Sequence, residues 1–560
     1  MNQDAKIGAD EYRESGRVVD DPNDTDTDAD ADAGTSPSPY SLLPTDEERD
    51  TIINDALDEL ADIARENILE FKREDFNTEE VVGTWIDSYL CDYFADITPA
   101  RSDFSTATSA EADALNEVID AYIRELYDEI SERFYEEIAP ARSSSTVGIA
   151  SVNPNLNEMT QQIQTLREKP QPDQRTPEWY ARRNNLITAS AASKAFGSQA
   201  SVNQLIYEKC KNYSAATGGG DGSGSGNTGP LQGSVNSPLH WGQRYEPLTV
   251  MVYERRNNTR LGEFGCIQHD TYSFIGASPD GINVDPASPI YGRMVEIKNI
   301  FNREMSGSPK EEYWVQTQIQ MEVCDLDECD FVETRFKEYD SEADYLADTL
   351  PHDDRPGYSG NGNEKGIILW FQTAPALTNQ GYVSPPIQLY EYAPIGATPA
   401  EYEKWEEAVF AKHQKSGNIW VRTIHWYLDE YSCVLVRRNR LWFSEAVKVL
   451  ERVWDMIVEE RQAGYEHRAP VKRKAGVATA TPAGTPVGGG GPGSIDSFFK
   501  IVKLDTAILP TADTATATAT NMATLMAQTH QTHHHKPNTR GGPSDTLIKC
   551  FKIDDLEMDE

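Results

Sequence analysis

The sequence predicts an α/β protein with a separate helical module in front of it and long polar tails. Two observations carry the α/β class. Short runs rich in β-branched and aromatic residues read as strands: Phe274–Ala277, Val295–Lys298, Phe331–Phe336, Ile367–Phe371 and Ile387–Tyr392. Among them lie stretches with helical spacing, notably Leu248–Tyr253, Tyr313–Val323 and the whole of about 400–464. A third observation sets the module apart, because residues 45–140 show only the helical period.

Length and charge bound the possibilities. The 560 residues suffice for two or more domains, and the net charge is −40. That charge is uneven: residues 1–150 hold 39 acidic and 11 basic side chains, so the rest is only mildly acidic. A non-specific DNA-coating protein is disfavoured, whereas an enzyme with a local cleft is not. The seven cysteines (91, 210, 266, 324, 329, 433 and 550) include no Cys-x-x-Cys, which disfavours a zinc ribbon or an iron–sulfur cluster and suits a reducing compartment. There is no signal-like start and no apolar run near 18 residues, so an intracellular protein without membrane attachment is expected.

In chain order, residues 1–44 are Asp-, Thr- and Pro-rich and are expected to be disordered. Thr45-Asp46-Glu47-Glu48 reads as a capping box, followed by apolar Ile53, Leu57, Leu60 and Ala64 on one helical face. A second amphipathic run carries Leu115, Val118, Ile119, Tyr122, Ile123, Leu126, Ile130 and Phe134, giving an acidic all-helical module of scaffolding or partner-docking character. Residues 141–170 read as a polar linker, and 171–465 as the α/β domain. Within that domain, 214–237 form a flexible Gly-rich insertion, which lacks the Gly-Lys-Ser/Thr of a phosphate loop.

The chemistry centres on Ser278-Pro279-Asp280-Gly281 and Val295-Glu296-Ile297-Lys298. Side chains two apart on a strand share a face, so Glu296 and Lys298 project together while Ile297 turns inward. Neighbouring carboxylates repel unless a cation lies between them, and all-oxygen ligation selects Mg2+ or Mn2+. With a lysine alongside, the set suits metal-assisted phosphodiester hydrolysis. A solvated Glu-x-Lys ion pair beside an ordinary turn is the plainer alternative.

Flanking segments add parts. Pro177–Asn184 reads as a helix, followed by a Thr188-Ala189-Ser190 turn that opens another. Arg183 and Ser190 are there either as partners of a phosphate or as a surface arginine and an N-cap serine. Glu246 falls at the start of a mostly apolar helix, where the helix dipole or a metal would account for it. Gln316 and Gln320 share a helix face at i, i+4, and Arg437, Arg438 and Arg440 either touch DNA or cap a helix.

Taken in order, Trp179…Arg183…Ile187-Thr188-Ala189-Ser190, Trp241-Gly242-x-x-Tyr245-Glu246, Ser278–Gly281, Glu296-Ile297-Lys298 and Gln316-Thr317-Gln318 resemble the PD-(D/E)XK nuclease superfamily, in its lambda-exonuclease/YqaJ viral recombinase branch. The likeness covers roughly residues 175–340. It implies a mixed sheet flanked by helices. Asp280, Glu296 and the Ile297 carbonyl would be metal ligands, and Glu246 would hold a second ion or shape the site. Lys298 would serve the attacking water with Gln316 in support, and Arg183 and Ser190 would hold a terminal 5′-phosphate. The implied activity is a Mg2+-dependent deoxyribonuclease digesting duplex ends 5′→3′ without ATP, in recombination, repair or replication-end processing. A ring-shaped homo-trimer and a single-strand annealing partner are also implied, although the module, the insertion and the C-terminal extension depart from the compact pattern. Longer versions of this kind resemble those of large DNA viruses. A structure-specific endonuclease on the same core and a catalytically idle DNA-binding scaffold are the other readings.

Residues 466–560 read as a disordered tail with docking peptides. Pro470-Val471-Lys472-Arg473-Lys474 resembles a nuclear localisation signal, pointing to the nucleus or a viral replication compartment. Ile495, Phe498 and Phe499, within 494–502, resemble the plug by which peptides bind a PCNA-type sliding clamp, with Pro492 where that motif has glutamine. Leu547–Ile553 repeats the spacing faintly.

Overall fold

The helical region begins at the capping box. In a computed structural model of the protein, Thr45 accepts the Glu48 N–H while Glu48 takes the Thr45 N–H at 2.8 Å, opening α1 (Asp46–Glu66). The structure describes residues 43–470 except 77, 98–108, 146–154, 173–175, 212–236, 349–356, 378–382 and 385. Ile53, Leu57, Leu60 and Ala64 of α1 pack against Trp85, Ile86 and Leu90 of α2 (Glu79–Ile97) and Ile119, Ile123 and Leu126 of α3 (Ser109–Arg133). The 3-10 turn Ile68–Lys72 then sets Ile68 and Phe71 into the same apolar cluster as Trp314 and Trp442 of the α/β part. Lys72 meets Glu311 at 3.3 Å, and Arg142 lies over the Trp314 ring at 5.7 Å.

The stretch expected as a polar linker holds β1 (Ser144–Ser145) and a full helix, α4 (Leu156–Glu168). Met159, Ile163 and Leu166 are its buried stripe, spaced i, i+4, i+7. The polar residues between them hid that stripe.

Next come α5 (Pro177–Asn184), β2 (Ile187–Thr188), α6 (Ala189–Ala192), α7 (Gln199–Cys210) and α8 (Pro238–Asn257). They are followed by β3 (Leu261–Gly262), β4 (Ile267–Gln268), β5 (Ile275–Ala277), β6 (Gly281–Asn283), β7 (Met294–Asn299), α9 (Glu311–Cys324) and β8 (Glu328–Glu338). The remainder is α10 (Glu342–Ala347), β9 (Lys365–Gln372), β10 (Ala376–Leu377), β11 (Val383–Ser384), β12 (Gln388–Tyr392), α11 (Pro399–Lys415), β13 (Ile419–Arg437) and α12 (Arg440–Ala463).

The main sheet runs β12-β9-β13-β8-β7-β6-β3, with β1 also on β13, and it is mixed because β7 and β8 are parallel while their neighbours pair antiparallel. A smaller sheet, β2-β5-β4, lies beside it, and α8, α9 and α12 flank the whole. The expected mixed sheet flanked by helices is what the chain forms. One strand corrects the expectation of continuous helix over 400–464: β13 occupies 419–437 and pairs with both β8 and β9. Ile424, Trp426 and Leu428 are buried at period two, but register shifts at 420–422 and 428–430 break the alternation.

Among the described residues no helix is long and apolar enough to cross a membrane. The acidic stretch 1–42, the Gly-rich segment 212–236, the basic run from Val471 to Lys474 and the clamp-like Ile495, Phe498 and Phe499 lie outside the described residues.

Candidate active site

Strand register brings the two central carboxylates together. In the antiparallel β6–β7 pair Gly281 faces Val295 and Ile282 faces Met294, so one step further Asp280 faces Glu296. Asp280 Oδ2 accepts the Ile297 N–H at 2.7 Å, which anchors its carboxylate over β7. Glu296 and Lys298 do share a face: Lys298 Nζ lies 2.5 Å from Glu296 Oε1. Ile297 points the other way into the core with Val295, Val332 and Tyr253.

Helix α9 supplies the remaining partners. Gln316 donates to Glu296 Oε1 at 2.6 Å and accepts from Lys298 at 3.3 Å. One turn on, Gln320 donates to Glu296 Oε2 at 2.7 Å and to the Ser278 carbonyl at 3.2 Å. Glu296 is only 1% exposed, so three donors offset the cost of burying its charge. The Tyr313 ring closes over Lys298 Nζ at 4.8 Å.

Glu246 lines the same cleft, from the middle of its helix and not from the start. Ser237 caps α8 by accepting the His240 N–H at 3.2 Å and Pro238 takes the first turn, so the helix begins eight residues upstream of Glu246 and runs through Pro247. Asn299 pins α8 to the end of β7 by donating to the Gly242 carbonyl at 3.0 Å.

Arg183, in the last turn of α5, lies at the far wall. Its guanidinium stacks on Trp179 at 4.5 Å and reaches Ser278 Oγ at 3.5 Å and Ser190 Oγ at 3.4 Å. Arg183, Ser190, Glu246, Asp280, Glu296, Ile297, Lys298 and Gln316 therefore surround a single cleft of about 260 Å³, along with Trp179, Thr188, Ala189, Ser278 and Gln320. Gln320 was visible in the sequence only as the i+4 partner of Gln316. Ser278 and Trp179 carried no separate signal beyond their place in the motifs. The basic trio at the junction of β13 and α12 is elsewhere: Arg438 binds Glu322 and Asp325 at 2.5 and 2.7 Å, Arg440 binds Asp327 at 2.7 Å, and the Arg437 carbonyl accepts from Gln318 at 2.9 Å.

The electrostatics fit a cation. Burial, then the neighbouring Glu296 and Glu246, push the Asp280 carboxyl well above its usual value, against the pull of Lys298 and the Ile297 N–H. Burial opposes the charge on Lys298, but Glu296 and Asp280 outweigh it and hold the ammonium above its usual value. Carboxylates that repel one another in a partly closed cleft are a donor set a divalent ion would relieve, and oxygen donors suit a hard one. Among the described residues no three His, Cys, Asp or Glu side chains converge closely enough to hold a metal unaided. The expected set is two carboxylates and a main-chain carbonyl, with water to complete it, and Glu246 lines the same cleft.

Residues 178–327 match the model of the YqaJ-like viral recombinase domain. A protein of Acanthamoeba polyphaga mimivirus is 31% identical over 328 residues, covering 54% of this chain and 55% of that relative, so the chain spans about half of the relative's length. Two crystal structures of LHK-Exo, an alkaline exonuclease from Laribacter hongkongensis, are also similar, one of them in complex with dAMP. They share 19% and 18% identity over 52% of this chain and 95% of theirs, with TM-scores of 0.25 and 0.26. The resemblance to the YqaJ viral recombinase branch read from the motifs is borne out, because the family model matches residues 178–327, within the stretch that carries those motifs.

Proposed function

We propose that the protein is a divalent-metal-dependent deoxyribonuclease that digests duplex DNA from its ends, 5′→3′ and without ATP, in recombination, repair or replication-end processing. One observation carries the proposal: the Asp280–Glu296–Lys298–Gln316 group and the Arg183–Ser190 pair open onto the same cleft, with Ser278 accepting from Arg183 on one side and from Gln320 on the other. An exonuclease needs a hydrolytic centre and a grip on the chain end within one nucleotide's reach, and this cleft offers both chemistries.

Asp280, Glu296 and the Ile297 carbonyl would hold Mg2+ or Mn2+, with Glu246 holding a second ion or shaping the first site. When bound, the ion would supply Lewis-acid polarisation of the phosphodiester and acidify a water. Lys298, held protonated by its carboxylate neighbours, orients that water and stabilises negative charge that builds up on the phosphate. Gln316 keeps Lys298 and Glu296 in register with each other. Arg183 and Ser190 bind the terminal 5′-phosphate, with the flat Trp179 ring orienting the guanidinium. Double-stranded DNA ends are the substrate partner, with a single-strand annealing protein as a further partner, and the acidic helical module is a scaffolding or partner-docking unit.

The test is timed digestion of end-labelled linear duplex beside a closed circle, with Mg2+, Mn2+ or EDTA. Stepwise release of nucleotides from the linear form only, abolished by EDTA, is the expected result. Cutting of the closed circle would favour the endonuclease reading, and no hydrolysis of either DNA would overturn the enzyme.

A further inference from the structure

Helix α5 has eight residues and ends two residues before β2, with Arg183 and Asn184 as its last two positions. So short a helix is marginal on its own, and its final carbonyls find their partners outside it, the Arg183 carbonyl accepting the Leu186 N–H at 3.3 Å. Two cations from distant elements meet them. Lys209 of α7 donates from Nζ to the Arg183 carbonyl at 2.8 Å. Arg461 of α12 donates from Nη2 to the Asn184 carbonyl at 2.7 Å and from Nη1 to Asn185 Oδ1 at 3.2 Å. Arg461 also ties the two cations together through the Lys209 carbonyl, from Nη2 at 2.8 Å and Nε at 3.1 Å, while its guanidinium rests on Trp454 at 5.2 Å.

Positive groups at a helix C-terminus are favoured by its dipole, but this arrangement goes further. Burial, with repulsion from Arg183, pushes the Lys209 ammonium down to about 7, so the fold bears a cost to keep an amine at that carbonyl. On the cleft side, the bonds from Arg183 to Ser190 and Ser278 are long, at 3.4 and 3.5 Å. They are too weak to place the guanidinium by themselves. The Trp179 ring in front, the Cys266 side chain beside it and the two clamped carbonyls behind hold it as well. Neither Lys209 nor Arg461 lines the cleft, and Arg461 lies outside the 178–327 match.

We infer that Lys209 and Arg461 are positioning residues for Arg183, so that the C-terminal helix α12 sets how strongly the enzyme prefers a 5′-phosphorylated end. The inference rests on the assignment of Arg183 to the terminal phosphate. Displacement of a substrate-holding group by about 1 Å is enough to cost a large factor in rate, so a clamp on the main chain reads out in the kinetics.

The experiment compares kcat and KM on linear duplexes carrying 5′-phosphate or 5′-hydroxyl ends, for the wild type, Arg183→Ala, Arg461→Gln, Arg461→Lys and Lys209→Met, with thermal melting as a check of folding. Arg461→Gln and Lys209→Met should raise KM for phosphorylated ends about five-fold or more while leaving kcat/KM on hydroxyl ends unchanged. Arg461→Lys, which keeps the charge, should fall between. Folded Arg461 variants that keep the full wild-type preference, or that lose rate equally on both ends, overturn the clamp. If Arg461→Gln does not fold, the same criterion applies to Arg461→Lys. Arg183→Ala keeping the preference, or a wild type without one, overturns the phosphate assignment itself and the clamp with it. Loss of preference in Arg183→Ala but not in the Arg461 and Lys209 variants overturns the clamp alone.

Discussion

Lys298 and Glu296 form an ion pair at 2.5 Å in which the lysine is 22% exposed and the glutamate 1%. The glutamate is the fixed member, because Gln316 and Gln320 hold both of its oxygens, and the lysine is the member that faces the cleft. Lys298→Met should therefore act on the reaction more than on binding. Turnover should fall about 10²–10³-fold while DNA affinity stays near that of the wild type, as single-turnover kinetics beside a gel-shift titration would show. A fall in affinity as large as the fall in rate would assign Lys298 to binding.

Gln320 has a different character. It donates to Glu296 Oε2 and to the Ser278 carbonyl, and so joins the catalytic strand to the turn that precedes Asp280. Gln320→Leu fills the same space but leaves a buried Glu296 oxygen and the half-buried Ser278 carbonyl without that donor. Unfolding free energy in urea should drop by about 1–3 kcal/mol. Activity should fall too and recover in part at higher Mg2+ concentration, because a cation would meet the exposed carboxylate oxygen. A stable Gln320→Leu protein with wild-type metal dependence would show that Gln316 and Lys298 suffice to hold Glu296.

The sequence made this cleft legible because its chemistry rides on short periods. Glu296 and Lys298 sit two apart on a strand, Gln316 and Gln320 four apart on a helix, and a Pro-Asp-Gly turn delivers Asp280. Such spacings survive without knowledge of tertiary contacts. Other elements needed those contacts. Strand β13 pairs on both sides and buries Ile424, Trp426 and Leu428, but two irregularities break its period and helices flank it. Helix α4 hides three apolar residues among polar ones, and the start of α8 was obscured by Pro247, which normally ends a helix. The Lys209 and Arg461 contacts to α5 join residues 26 and 277 positions apart, beyond any local pattern.

Behind the cleft, Asp330 on β8 accepts from Tyr253 at 2.7 Å and from Arg293 at 3.4 Å. Burial, with Glu328 adding repulsion, pushes its carboxyl up to about 6 despite Arg293 and Tyr253. A folded value above the unfolded one means that the native state binds the extra proton. The stability this contributes is full below about pH 4 and is lost as pH rises through about 6. Asp330→Asn does not titrate, so relative to the wild type it should gain stability between pH 4 and pH 7, by roughly 3 kcal/mol at most. Urea unfolding of both proteins at the two pH values measures this, and a constant difference would mean that Asp330 is ionised throughout.

The last of the described residues lie beyond α12. After Gly464 the chain turns through Glu466–Arg468, where Arg468 reaches back to Glu460 at 2.7 Å and to Asn203 of α7 at 2.5 Å. Both Arg468 and Glu460 are mostly buried, at 15% and 12% exposure, so this pair is screened less than a surface one. It also ties the end of α12 to α7, the two helices that carry Arg461 and Lys209. Ending the protein after Pro470 should leave melting temperature and hydrolysis unchanged. Ending it after Tyr465 removes Arg468, and unfolding free energy should fall by about 1–3 kcal/mol. The preference for phosphorylated ends should weaken with it, because α12 and α7 lose a tie at the end nearest the clamp. Equal stability and equal end preference for the two truncations would show that α12 is seated without the turn.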